Sequence, residues 1–126
     1  KIQNAYHRAL SSARRLNWTF DTVKEYFTEH PPQVGQELII SSTQHHANSF
    51  KLVKVEVADH GRQKRIIIDR PAAFGGASYY RSGKNCFHPK GQNQLLPYHE
   101  KVGARLKASI NGEAILSDKE LMELVS

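Results

Sequence analysis

Between Ala77 and Lys101 the chain reads ASYYRSGKNCFHPKGQNQLLPYHEK, a stretch dense in groups that can hold a polyanion. Tyr79, Tyr80, Phe87 and Tyr98 supply rings, Arg81, Lys84, Lys90 and Lys101 supply cations, and Asn85, Gln92, Asn93 and Gln94 supply amides that both donate and accept. No acid lies between Asp69 and Glu100. Cations meet phosphates and rings stack on bases, so this composition points to a nucleic-acid contact surface. Arg62, Lys64 and Arg65 extend it at the third expected strand. Arg105 and Lys107 extend it on the polar side of a later alternating run. These cations are of the phosphate-contacting kind, Tyr79, Tyr80, Phe87 and Tyr98 are stacking candidates, Asn85 or Gln92 can read a base edge, and His88 completes the set. Adjacent residues of a strand face opposite sides, so one of Tyr79 and Tyr80 should serve the core.

Catalytic patterns are weaker. His45 and His46 are adjacent and diverge on any regular element, so they do not chelate one ion together. Cys86, His88 and His99 lack the paired spacing of a structural zinc site. Cys86 with a histidine would need an activated thiolate, and a lone cysteine beside Phe87 reads better as a filler. Tyr80 and Lys84 match the spacing of strand-nicking nucleases, without the alternating histidine pair those enzymes require. Glu56, Asp59 and Asp69 do not form the paired carboxylates of a two-metal site. Phe74-Gly75-Gly76 is neither a phosphate-binding loop nor a dinucleotide fingerprint. The alternative with chemistry is a metal-independent ribonuclease built from His45, His46, His60, His88 or His99 with Arg81 and Lys84. A second alternative is an interaction module docking on an acidic protein. The sequence nominates no catalytic residue, metal ligand or cofactor, and the expectation is a binding domain without activity of its own.

The partner class follows from charge. Eighteen Lys and Arg against twelve Asp and Glu give a net charge of +6. From Arg62 to Lys107 there are ten Lys or Arg and two acids, and beyond Lys107 the sign reverses. Nucleic acid is the expected partner, DNA ahead of RNA. At 126 residues the chain suffices for one domain with its own core. It begins at Lys1, and we expect a piece of a larger protein whose other domains it assists. One cysteine and no long apolar run suggest a cytoplasmic domain with no membrane partner.

The elements that must position these residues read as an α+β fold. Ile2, Ala5, Tyr6, Ala9, Leu10, Ala13 and Leu16 recur at helical spacing, and a second helix is expected from Thr19 to Glu29, ended by His30-Pro31-Pro32. The N-terminal helical pair is followed by strands at Glu37–Ser41, Phe50–Val57 and Lys64–Arg70. Val53, Val55 and Val57 predict one buried face. Arg65 to Asp69 does not alternate, which predicts a central strand covered on both sides. Ala104, Leu106, Ala108 and Ile110 alternate ahead of Asn111-Gly112, predicting a strand and a type I′ hairpin. Ser117 to Glu120 reads as a capping box opening a short C-terminal helix. The whole is a mainly antiparallel sheet of five or six strands, or a small partly closed barrel.

Overall fold

The computed structural model describes residues 12–44, 47–69, 77–86 and 93–126. Residues 12–15 are helical; the rest of the expected first helix, the His45-His46 pair, Phe74-Gly75-Gly76, Phe87, His88, Lys90 and Gln92 lie outside the described residues. Then come α1 (Phe20–Glu29), β1 (Glu37–Gln44), β2 (Ala47–His60), β3 (Arg65–Ile68), β4 (Ser78–Tyr79) and β5 (Asn93–Leu96). The chain ends with α2 (Glu100–Lys107), a 3₁₀ turn at Ile110–Gly112, β6 (Glu113–Leu116) and α3 (Asp118–Val125). The fold is α+β.

β2 is the spine of the sheet. Its first half pairs antiparallel with β1, from Gln44↔Ala47 to Glu37↔Lys54. Asn48 to Lys51 pair with β6 on the opposite edge, and Val55 to His60 pair with β3 beyond it. The order is β4-β3-β2-β1-β5, with β6 on β2, and the sheet curls into a half-barrel. Its open side is spanned by two isolated bridges, Tyr79↔Asn85 and Lys84↔Gln94, which carry pairing from β4 through residues 84 and 85 to β5.

The core explains which strands the sequence disclosed. Leu38, Ile39 and Ile40 are consecutive and all fully buried, so β1 is the strand covered on both faces. β3 was expected in that role, but Ile66 and Ile68 are buried while Arg65 and Ile67 are half-buried. In β2, Val53 and Val55 point inward, but Val57 is 41% exposed. A register shift between Val55 and Val57 inserts an extra residue against β3, and such a bulge reverses the inward alternation.

α1 follows its sequence signals. Thr19 accepts from the Thr22 amide at 3.2 Å while the Thr22 hydroxyl accepts from the Thr19 amide at 2.8 Å, and Val23 and Phe27 are buried. α3 opens on the same device, Ser117 and Glu120 each accepting the other's amide proton.

The strand expected across Ala104 to Ile110 is instead α2 and the turn after it. Val102, Gly103 and Leu106 form its buried stripe, while Ile110 is 85% exposed, so the alternation had no buried face behind it. Arg105 and Lys107 therefore sit on a helix, not on a strand face. Asn111 and Gly112 do adopt positive φ, 61° and 68°, as a type I′ turn would require. They connect a helix to β6 rather than two strands.

A polar cluster fastens the segment around Ser12 and the start of α3 to the spine. Ser12 Oγ lies 2.7 Å from Asn48 Oδ1, and the Asn48 amide donates to the Leu116 carbonyl at 3.2 Å and to Asp118 Oδ1 at 2.7 Å. Asp118 also meets Arg15 at 2.9 Å. Ser12 and Asn48 are buried, so the bond between them forms away from competing water, while the Arg15–Asp118 pair lies at the surface. Among the described residues no helix is long and apolar enough to cross a membrane.

Candidate functional site

Two turns and one helix face build a groove of about 660 Å³. The first turn joins β2 to β3. Gly61 and Lys64 both take positive φ, and the Lys64 amide donates to the Gly61 carbonyl at 3.1 Å. This reversal leaves Arg62, Gln63 and Lys64 exposed at its tip.

The second turn is Tyr80-Arg81-Ser82-Gly83-Lys84. It is closed by the Tyr80 amide on the Lys84 carbonyl and the Gly83 amide on the Tyr80 carbonyl, each at 2.8 Å. Gly83 has φ +90° and is buried, and a Cβ there would run into the Leu95 carbonyl oxygen and the Gln94 side chain. Glycine is required here on both counts. Its carbonyl accepts from the Leu95 amide at 2.9 Å, and Gln94 Nε2 donates to the Ser82 carbonyl at 3.3 Å. The turn is thus locked to β5.

The opposite wall is α1, whose Phe20, Asp21, Lys24 and Thr28 line the groove at helical spacing. Arg81 ties the walls together. Its Nη1 donates to the Phe27 carbonyl at 3.0 Å and its Nε to the Lys64 carbonyl at 3.2 Å. Phe27 is in the last turn of α1, where carbonyls lack helical partners and the dipole is negative, and no basic residue of α1 itself stands there. Arg81 supplies both the donor and the charge. On the groove's flank, Lys84 Nζ lies 5.1 Å from the centroid of the Phe20 ring, within cation–π reach.

Lys24, Arg62, Lys64, Arg81 and Lys84 line this groove against a single carboxylate, Asp21. Asp21 occupies the first turn of α1, where the positive helix end offsets part of its charge. A smaller groove of about 390 Å³ adjoins it, sharing Phe20, Asp21 and Lys84 and adding Arg14, Trp18, Thr19 and Gln94.

The structure thus gathers Arg62, Lys64, Tyr80, Arg81 and Lys84, nominated from two separate segments, into one groove. Arg65 is half-buried at the start of β3, beside the turn. Two nominated residues are turned inward. Tyr79 is fully buried, and desolvation pushes its phenol up to about 12, with the nearby Asn85 and Asn93 acting against that shift. It is the core member of the tyrosine pair, as strand geometry requires, and its ring is closed to a ligand. Asn85 is buried too, behind the bridge to Tyr79, so it reads no base edge. Tyr80 remains half-exposed.

Arg105 and Lys107 line neither groove. Arg105 donates to the Ser109 hydroxyl, and Lys107 pairs with Glu37 at 3.0 Å and lies 5.3 Å from the Tyr98 ring centroid. His99, weighed for catalysis, is the N-cap of α2: its Nδ1 accepts from the Val102 amide at 3.2 Å. Among the described residues no group of three His, Cys, Asp or Glu is placed to hold a metal. Among the described residues no histidine lines the groove.

Phe20, Lys24 and Arg14 belong to the site without having been nominated. The signal was present, because Phe20, Lys24 and Thr28 recur every four residues on the polar flank of an evident helix. What faced that flank became clear only once the second turn was locked to β5. No protein-family model, curated protein or solved structure matches this chain.

Proposed function

We propose that this domain binds nucleic acid in the groove between α1 and the two turns, delivering other parts of a larger protein to DNA. The observation that carries the reading is convergence. Five cations from three separate elements line one concavity with a single carboxylate among them, while two of the sequence-nominated cations outside it pair elsewhere. Cations on opposite walls, four of them with no ion pair among the described residues, suit a chain of phosphates running between them. Arg81 is committed to backbone carbonyls on two sides, so it shapes the groove, and Lys24, Arg62, Lys64 and Lys84 supply the phosphate contacts.

The test is fluorescence anisotropy of matched labelled DNA and RNA oligonucleotides with the full chain at low salt. Lys24→Glu and Arg62→Glu should each lower affinity about tenfold or more, because each replaces a phosphate partner by a like charge. Arg105→Gln should bind as the parent does. Equal losses at all three positions, or none at any, would remove the groove from the account. Oligonucleotide cleaved during the titration would favour the ribonuclease reading. An acidic peptide that binds as tightly would favour the protein-interaction reading.

A further inference from the structure

We infer that the groove takes a single strand rather than a duplex, with bases stacked on Phe20 and Tyr80; the inference rests on the nucleic-acid reading above. Both rings are half-exposed, and the groove takes one from each wall, Phe20 from α1 and Tyr80 from the second turn. The backbone that carries each ring is set before any ligand arrives. Phe20 opens a capped helix and has Lys84 Nζ at 5.1 Å from its centroid, while the Tyr80 amide is held by the Lys84 carbonyl at 2.8 Å. Rings carried on a preset backbone need less ordering when a base stacks on them.

A duplex has no use for such rings, because its own bases are already stacked and its phosphates lie on a convex rod. The one way a duplex could use this surface is to receive the tip of the first turn in a groove of its own. That mode engages Arg62 and Lys64 but leaves Phe20, Tyr80 and Lys24 idle. A single strand threaded between the walls engages all five. Its phosphates meet Lys24 on one side and Arg62 and Lys64 on the other, and Lys84 turns from the Phe20 ring to a phosphate as a base takes its place. Trp18, the one tryptophan of the chain, lines the adjoining groove on the path such a strand would follow.

The experiment compares three labelled probes of equal length on the full chain at low salt: a twelve-residue thymidine strand, a strand of abasic sites, and a duplex. The thymidine strand should bind at least about tenfold more tightly than the duplex and about 5- to 100-fold more tightly than the abasic strand, since stacking needs bases. It should also quench Trp18 emission. Phe20→Leu and Tyr80→Leu should each weaken thymidine binding about 5- to 100-fold with the salt dependence unchanged. A duplex bound as tightly as the thymidine strand, or an abasic strand bound equally well, overturns the single-strand inference. The groove reading then survives if Lys24→Glu and Arg62→Glu still abolish binding. Failure of every probe to bind sinks both. Should either leucine variant melt early, the abasic comparison decides without any substitution.

Discussion

Arg81 holds the two walls of the groove together. Arg81 donates to the end of α1 and to the Lys64 carbonyl, so Arg81→Ala strands two carbonyls and removes the charge facing the helix terminus. Hydrogen bonds from charged groups contribute about 1.5–3 kcal/mol, and Arg81→Ala should cost that much in chemical denaturation. Lys24→Ala and Arg62→Ala, on exposed side chains, should stay within about 0.5 kcal/mol of the parent. Equal stabilities for all three would show that Arg81 is no clamp. The difference between Tyr79 and Tyr80 was legible in advance, because a strand must turn one of two neighbours inward. The role of Arg81 was not, since a cation in a basic loop reads as a phosphate ligand until the carbonyls around it are known. Phe20 was legible as helical, and only the packing of the second turn against α1 shows that its ring borders the groove.

Helix α2 and its caps show how local signals compete. Alternating Ala104, Leu106, Ala108 and Ile110 imitate a strand, and Gly103 weakens any helical reading because glycine disfavours a helix interior. The reason for Gly103 is tertiary: a Cβ there would collide with the Tyr98 ring. The cap, His99, is an uncommon type for that position, and its neutral form is the one that accepts from Val102. Burial, and secondarily Lys101, push the His99 imidazole below its ordinary range, with Glu100 opposing. A base whose folded pKa is depressed gives stability that is present above its unfolded value, near 6.5, and is lost as pH falls toward the folded value. Thermal stability should therefore decline on acidification from pH 7 to below 6, and His99→Asn, which caps without titrating, should flatten that decline. An unchanged pH profile in His99→Asn would remove the cap from the account. At the other end of the chain, where the sequence signal was complete, Ser117→Ala should cost about 1 kcal/mol, or about 4 °C in melting temperature.

At the scale of the whole molecule, β2 organises everything else. β1, β3 and β6 pair with it directly, and the Asn48 cluster ties residue 12 and the start of α3 to it. The α+β class, the antiparallel pairing and the curled sheet were legible because Ile- and Val-rich runs alternate with polar turns along this part of the chain. The closing bridges through Lys84 and Asn85 were not, because they join single residues rather than strands and leave no periodicity. Those bridges carry the second turn to the sheet opening, where its cations face α1. The central claim is that the groove binds by neutralising phosphates with Lys24, Arg62, Lys64 and Lys84. The most direct measurement is the affinity of the full chain for a single-stranded oligonucleotide across a range of salt concentrations. Four phosphate contacts to a single strand predict a log–log slope of about −3, reduced by about 0.7 for each of the four changed to alanine. A slope near zero in the parent, or one that the four alanine variants leave unchanged, would contradict the account.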